Sequence, residues 1–184
     1  MSNALNPHFE ADYRLLPPCD KRRESEYNES VAIANNDAIC LDGKNISPVG
    51  QYQVEPCDIL IKTGNEIHLV HVKISTRSSS LRHLLNQGVN SVELIRTVAE
   101  SKEKIKELTG NNRELNEIID AENLKVVYGI ITGKADANPE NRSKNLPIFS
   151  RISLMRVLND FSVMKIPCSI CLIKDEFNRK GIEE

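Results

Sequence analysis

Hydrophobic and polar positions along the chain follow two spacings, and each spacing predicts a different kind of element. Apolar residues at helical spacing predict helices over 20–36, 78–110 and 149–161, and short apolar or alternating runs predict strands over 38–42, 57–63, 66–73, 125–132 and 163–175. The predicted order is therefore helix, three strands, helix, strand, helix, strand. This order favours an α/β domain with a mixed central sheet flanked by helices.

The length of 184 residues suits one domain with a substantial core. We expect residues 1–20 to be an irregular lead-in and residues 21–184 to form a single domain. We also expect the long helix to be interrupted near Gly88, and the charged residues 101–122 to form a solvated helical arm.

A hairpin over residues 57–73 carries polar side chains that a buried hairpin has no need of. Gly64-Asn65 is a favoured two-residue turn, and it would pair Thr63 with Glu66. The same register places Asp58 opposite His71, with Lys73 one diagonal step away. A three-residue loop would instead send Asp58 to the other face of the sheet.

A carboxylate, an imidazole and an ammonium group at one sheet edge suit phosphodiester chemistry. Asp58 could hold a hard divalent cation, which would activate water and neutralise charge on the phosphate. Lys73 could orient that water or face the phosphate as a point charge. The structural alternative is a plain cross-strand salt bridge between Asp58 and Lys73 beside a hydrogen-bonded His71.

The helix after the hairpin begins with a polar ridge. Ser79, His83 and Gln87 are spaced four residues apart and therefore share one helix face. The ridge ends at Gly88, where the backbone could approach a ligand closely. The structural alternatives are a solvated face for His83 and a helix cap for at least one of the serines.

Basic residues beside this ridge could form a local rim for a nucleic-acid backbone, although a charged helix end would look the same. They are Arg77 and Arg82 next to the ridge, with Lys21, Arg22 and Arg23 before the first helix. The net charge of −2 gives no global nucleic-acid signature, so phosphate binding must depend on such a local patch.

Composition narrows the class of protein further. The sequence has no run of about 18 apolar residues, so we expect no membrane span. Five scattered cysteines without a secretory context predict free thiols in the cytoplasm. Cys168 and Cys171 have the spacing of a zinc-ligand pair, but no second pair exists and buried thiols are the better interpretation.

Together these residues resemble the PD-(D/E)XK nuclease superfamily. An opening helix with Glu, an Asp on one strand, a Lys on the next and a helix carrying Gln follow one another in the expected order. More narrowly, "EYNESVA", "VEPCDIL", "IHLVHVK" and "SSSLRHLLNQGVNSVELI" resemble a sporadically distributed family of uncharacterised bacterial proteins, for which roles in phage defence are suspected. The resemblance implies a restriction-endonuclease-like fold with an αβββαβ core plus a further helix and strand.

The resemblance also implies roles for individual residues. Asp58 would be the metal carboxylate, Lys73 the catalytic lysine and Gln87 the helix glutamine that orients the site. The cofactor would be Mg²⁺ or Mn²⁺. The partner would be DNA or RNA, bound with help from Arg77, Ser79, Arg82 and His83.

One departure from the superfamily pattern leaves the identity of the metal and of its second ligand undecided. His71 occupies the position of the second acidic ligand, and imidazole suits Mn²⁺ or Zn²⁺ better than Mg²⁺. The site could use another metal, recruit a glutamate from the first helix, or be inactive. Glu26 is the first choice on that helix, Glu24 with Asn28 is the alternative, and Glu29 ranks below them.

The sequence therefore predicts a metal-dependent endonuclease domain that hydrolyses phosphodiester bonds of DNA or RNA. The alternative is an inactive nuclease-like module that binds nucleic acid or a protein partner, with residues 101–122 as the protein contact. A homodimer is a further expectation, because nucleases that cut both strands commonly dimerise.

Overall fold

The computed structural model describes residues 2–10, 14–135 and 139–177, which form a mixed sheet with helices on both faces. The six strands are β1 (Phe9–Glu10), β2 (Ala38–Cys40), β3 (Ile59–Thr63), β4 (Glu66–Lys73), β5 (Leu124–Thr132) and β6 (Cys168–Lys174). They lie in the order β1-β6-β5-β4-β3-β2. β2, β3 and β4 pair antiparallel, and β4, β5, β6 and β1 pair in parallel. The predicted α/β class with a mixed sheet is confirmed.

The helices divide the core into two apolar layers. They are α1 (Ser2–Leu5), α2 (Glu24–Ala34), α3 (Ser78–Thr97), α4 (Ala99–Leu108), α5 (Arg113–Asp120) and α6 (Ile148–Met164), with 3₁₀ turns at Asn6–His8 and Pro139–Asn145. α3, α4, α5 and α6 contribute to one layer, and α2 packs Tyr27 and Val31 into the other. None of the helices in the described ranges is long and apolar enough to cross a membrane.

The hairpin forms with the predicted two-residue turn. Thr63 pairs with Glu66 and Leu60 pairs with Leu69, as the Gly64-Asn65 turn requires. Gly64 has φ of 59°, a left-handed conformation that glycine adopts without strain. The register that the sequence predicted is therefore confirmed along the whole of β3.

The predicted charged arm is wrong, because residues 101–122 are packed against the domain. Apolar residues recur within the charged sequence, and Ile105, Leu115 and Ile119 are buried in the larger core layer. Charged groups remain at its rim, where Lys106 pairs with Asp120 at 2.7 Å. Helical spacing of a few apolar residues was enough to dock α4 and α5, despite the high charge.

The start of the chain also contributes to the fold. The irregular lead-in expected over residues 1–20 contains α1 and β1, and β1 extends the sheet by pairing Phe9 with Ile170. Leu5 and Phe9 are buried in the larger core layer. Two apolar residues at this spacing gave too short a pattern to predict an edge strand.

The predicted interruption near Gly88 is wrong, since α3 runs unbroken from Ser78 to Thr97. Gly88 is needed for packing, because a Cβ at this position would lie 2.3 Å from the Tyr128 hydroxyl oxygen. The same hydroxyl donates a hydrogen bond to the Leu85 carbonyl at 2.8 Å. The backbone of α3 therefore approaches a side chain of β5 here, and not a ligand as the sequence suggested.

Replacing Gly88 with alanine should destabilise the protein by about 1–2 kcal/mol. Overpacking typically costs about 1–3 kcal/mol and can cost more, and the gain of about 1 kcal/mol in helix propensity offsets only part of it. Urea unfolding measures the change. Gly133→Ala is the matched control, because a Cβ at Gly133 meets nothing within 4 Å. Equal stability of the two variants would contradict the packing argument.

Candidate functional site

Several chain segments meet at one edge of the sheet because β3 runs antiparallel to both of its neighbours. The carboxyl ends of β2 and β4 therefore lie beside the amino end of β3. Asp42 follows β2, Asp58 precedes β3, and Lys73 is the last residue of β4. α2 begins at the same edge with Glu24, which contacts Lys73. Strand direction therefore brings Asp42, Asp58 and Lys73 to one edge, and the packing of α2 adds Glu24.

Three carboxylates converge at this edge. Asp42, Glu55 and Asp58 each offer one oxygen, and these oxygens lie within 4.8 Å of one another. All three side chains are partly buried. We refer to Asp42, Glu55 and Asp58 as the acidic cluster.

A local irregularity aims Asp58 at this cluster. The amide of Asp58 donates to the carbonyl of Val70 at 2.9 Å, although Val70 is already the partner of Ile59. Asp58 and Ile59 thus both lie opposite Val70, which is the arrangement of a β-bulge. A bulge redirects the side chains of the strand that contains it. Asp58 Oδ2 accepts a hydrogen bond from the Val72 amide at 2.6 Å. The predicted placement of Asp58 directly opposite His71 is therefore wrong.

Burial and mutual repulsion raise the pKa values of two carboxyl groups in the acidic cluster. Burial, together with the negative charges of Asp42, Glu55 and Glu24, raises the pKa of Asp58 to about 7, against the opposing effect of the Val72 amide. Burial and Asp42 also raise the pKa of Glu55, which the Gly43 amide and His83 partly offset. The cluster is therefore an environment in which added positive charge would be strongly favoured.

Asn28 adds a neutral oxygen to the same group. The side chain is only 1% exposed, and its Nδ2 donates to Asp42 Oδ2 at 3.2 Å. Its carbonyl oxygen Oδ1 is buried without a hydrogen-bond partner among the described residues. Leaving such a carbonyl unsatisfied typically costs about 1–3 kcal/mol, so this oxygen is a candidate ligand atom.

The first-helix glutamate beside the site is Glu24. Its Oε2 accepts from Lys73 Nζ at 2.8 Å, and its Oε1 accepts from the Ile74 amide at 2.8 Å. Glu26, the first choice from the sequence, is exposed and accepts a hydrogen bond from the Arg23 amide at the start of α2. The N3 position in the helix commits Glu26 to its own backbone, and Glu29 is also exposed, so the alternative pair of Glu24 and Asn28 supplies the site.

His71 is in the core and not among the carboxylates. It is 2% exposed, and its ring packs against Tyr128 with centroids 5.9 Å apart. Burial lowers the pKa of His71 to about 4, so the imidazole is neutral, and Nε2 has no partner within the described ranges. This face of β4 is covered by α3, so His71 lies outside the acidic cluster, and its role as the second metal ligand stays a prediction.

The polar ridge of α3, which consists of Ser79, His83 and Gln87, approaches the acidic cluster through His83. His83 is exposed and lies close enough to Glu55 to influence the pKa of that carboxyl group. Gln87 is half-buried one turn later, and Ser79 is exposed. α3 has no side-chain cap bond at Arg77, so the predicted serine cap is absent from its start. Arg77 and Arg82 are exposed at the same end of the helix.

Sequence reasoning missed Asp42 and Glu55. Asp42 was predicted only as the end of a strand, and Glu55 only as part of a loop. The available signal was that antiparallel pairing of 38–42 with 57–63 brings the residue after one strand beside the residue before the next. The position of Glu55 depends on how the loop folds back, which no local pattern encodes.

Comparison with known proteins places the chain in a family without assigning a function. Searches of the curated proteins and of the solved structures found no significant match. A family model matches residues 2–174, which is nearly the whole chain. The chain therefore belongs to DUF6119, a family of unknown function.

Proposed function

We propose that this protein is a metal-dependent endonuclease with a PD-(D/E)XK-like core, which hydrolyses phosphodiester bonds of DNA or RNA. The observation that carries the proposal is the convergence of the acidic cluster and the unpartnered Asn28 carbonyl at the sheet edge that also holds Lys73. The order α2, β2, β3, β4, α3, β5 supports it, with α4 and α5 inserted between α3 and β5, since αβββαβ is the order of the superfamily that the sequence resembles.

The donor set fits a hard divalent cation. Asp42, Glu55 and Asp58 supply carboxylate oxygens and Asn28 supplies an amide oxygen, which are the ligands that Mg²⁺ and Mn²⁺ accept. A bound cation would supply charge neutralisation at the phosphate and a more acidic water. The raised pKa values of Asp58 and Glu55 support this fit, because a cation would offset the burial and the repulsion that raise them.

Lys73 is the proposed catalytic residue, and Glu24 positions it. Both oxygens of Glu24 are occupied, one by Lys73 Nζ and one by the Ile74 amide, so the carboxylate is fixed relative to the end of β4. An ammonium held in this way can face the phosphate or orient the attacking water. The lysine side chain is 30% exposed, which leaves it accessible to a substrate.

A polar cleft next to the site suits the nucleic-acid backbone. Its volume is about 230 Å³, and it opens where the parallel strands β4, β5 and β6 end. Ser75, Thr76, Arg77 and Thr132 line it with hydroxyl and guanidinium donors, and the carboxylate of Asp175 lines it as well. Such donors bind phosphate oxygens, and Arg82 and His83 extend the same rim along α3.

A second candidate function is nucleic-acid binding without cleavage. The observation in its favour is that His71 occupies the position of the superfamily's second acidic ligand and is buried against Tyr128. In the proposed nuclease, the carboxylates of Asp42 and Glu55 take the place of the missing second acidic ligand. The two functions differ in whether bound nucleic acid is cut when Mg²⁺ or Mn²⁺ is added.

The cysteines support a cytoplasmic location. All five are free thiols, as expected where thiols are kept reduced. Cys168 and Cys171 are three residues apart on β6, so their side chains point to opposite faces of the sheet and pack into different apolar layers. We therefore assign this pair no metal.

Cleavage of labelled DNA and RNA with Mg²⁺, Mn²⁺ or EDTA tests the proposal. The wild type should nick one of the two nucleic acids only with a divalent cation, and Asp42→Asn should reduce the rate at least about 100-fold. Asp37→Asn is the matched control, because Asp37 precedes β2 whereas Asp42 follows it. Cleavage that persists in Asp42→Asn, or in EDTA, would contradict the proposed site.

A further inference from the structure

The loop of residues 43–56 joins two members of the acidic cluster, and its base is fixed. Asn45 Oδ1 accepts hydrogen bonds from the Ser47 amide at 2.9 Å and from the Val54 amide at 3.1 Å. The Ile46 amide donates to the Val54 carbonyl at 3.0 Å. These bonds close the loop on itself. Asp42, which precedes the loop, and Glu55, near its end, are therefore held close together.

The tip of the same loop is tied to α4. The Val49 amide donates to Glu100 at 3.2 Å, and Lys104 Nζ donates to the Ser47 carbonyl. Lys104 and Glu100 also pair with each other at 2.9 Å. The tip therefore has a defined conformation.

This fixed tip presents an aromatic ring to solvent. Tyr52 is 95% exposed, and its neighbour in the loop Val49 is 91% exposed. Burial of Tyr52 thus contributes nothing to folding, although aromatic rings usually stabilise proteins by being buried. An aromatic ring held out on an ordered loop is the arrangement on which a flat ligand stacks.

The ring borders a cleft whose lining suits a base better than a phosphate. The cleft has a volume of about 810 Å³ and lies between the loop and the second half of α3. Gln51 and Asn90 supply amide groups, and Glu93 supplies a carboxylate. The carboxylate would repel a phosphate, whereas it can accept hydrogen bonds from the amino groups of cytosine, adenine or guanine.

The chain itself limits how far this cleft lies from the acidic cluster. Tyr52 is three residues from Glu55, so their Cα atoms are at most about 11 Å apart. This span corresponds to one or two nucleotides of a single strand. A base on Tyr52 would therefore belong to a nucleotide close to the scissile phosphate.

We infer that Tyr52 and the cleft beside α3 form a subsite for an unpaired nucleobase, an inference that rests on the proposed nuclease function. A base in a duplex is stacked and paired on its own edges, so it would first have to leave the stack at an energetic cost. The preferred substrate class is accordingly single-stranded nucleic acid, or a strand with unpaired bases near the cut.

Binding measurements test the subsite separately from cleavage. In a Lys73→Met background with Mn²⁺, fluorescence anisotropy would follow a labelled single strand of about 12 nucleotides, within the site sizes usual for such grooves. Tyr52→Ala should weaken binding about 5- to 150-fold, the usual range for one stacked base. Tyr52→Phe should retain it, because the ring remains. Val163→Ala, a substitution of a residue that is 76% exposed at the end of α6, is the control and should have no effect.

The outcomes separate this inference from the nuclease proposal. Equal affinity of Tyr52→Ala and the parent, or tighter binding of the matching duplex than of the single strand, would overturn the subsite. Tyr52-dependent binding by a protein that cuts nothing with any divalent cation would support the subsite and overturn the nuclease. Cutting of duplex alone, unaffected by Tyr52→Ala, would overturn the subsite and leave the nuclease standing.

Discussion

Replacing Lys73 with methionine should reduce metal-dependent cleavage by about 100-fold or more, because general acid–base or electrostatic assistance by one residue is typically of that size. Methionine keeps the apolar stem and removes the ammonium. Folding should change by less than about 1 kcal/mol, since the Lys73–Glu24 pair is partly exposed and Glu24 keeps its bond to the Ile74 amide. Single-turnover cleavage with saturating protein measures the effect.

Lys62→Met is the matched control for this prediction. Lys62 is also a hairpin lysine in an ion pair, with Glu114 at 2.7 Å, but it lies beside the Gly64-Asn65 turn at the opposite end of the hairpin. Its loss should leave cleavage unchanged. A similar loss of activity in both variants would mean that Lys73 acts only through the hairpin's stability.

Replacing Asp58 with asparagine should stabilise the metal-free protein by about 2–4 kcal/mol at pH 8. The folded-state pKa of Asp58 is about 7, against 3.8 for an ordinary aspartate, so ionising this side chain in the folded protein is costly. Asparagine removes the charge and can still accept the hydrogen bond from the Val72 amide. Stabilisation by removal of a functional group is common at sites that hold strained or repelling residues.

The pH profile gives the sign of this effect. Between pH 4 and pH 7 the folded state of the wild type keeps the Asp58 proton that the unfolded state has lost. The contribution of Asp58 is therefore fully present below pH 4 and is lost as the pH rises through about 7. The difference between Asp58→Asn and the wild type should grow over this window, as urea unfolding at several pH values would measure. A constant difference, or a less stable variant at pH 8, would contradict the conclusion that burial and repulsion make the ionisation of Asp58 costly.

Divalent cations should offset the free-energy cost of ionising Asp58 in the folded protein. At pH 8, Mn²⁺ or Mg²⁺ should raise the melting temperature of the wild type relative to EDTA, because a ligand that binds the folded state stabilises it. Asp58→Asn should respond much less, and Asp37→Asn should respond as the wild type does. An identical response in all three proteins would show that the cation acts elsewhere on the chain.

Local patterns were sufficient for the hairpin and most of the elements around it. Gly64-Asn65 dictates a two-residue turn, and the turn dictates that Thr63 pairs with Glu66. The apolar run over 125–132 became β5 at the centre of the sheet. These predictions succeeded because they depend on neighbours in sequence and on the alternation of side chains across a strand.

The candidate site was predicted only in outline, and its errors share a cause. A bulge at Asp58 breaks the register just where the sequence reasoning extended it, and it separates Asp58 from His71. Gly88 appeared free for a ligand because nothing local announces Tyr128, which comes 40 residues later and fills the space. Each error came from a contact between segments distant in sequence.

By itself, the sequence determined the α/β class, the hairpin with its register, and the presence of Asp58 and Lys73 at one sheet edge, because these follow from turn chemistry and periodicity. Only the tertiary structure decided which groups surround them. Loop 43–56 folds back to bring Glu55 to Asp42, α2 presents Glu24 and Asn28 in place of Glu26, and the covering of β4 by α3 buries His71. The physical reason is that strand direction and helix packing are satisfied over the whole domain, whereas a sequence pattern records only the preferences of adjacent residues.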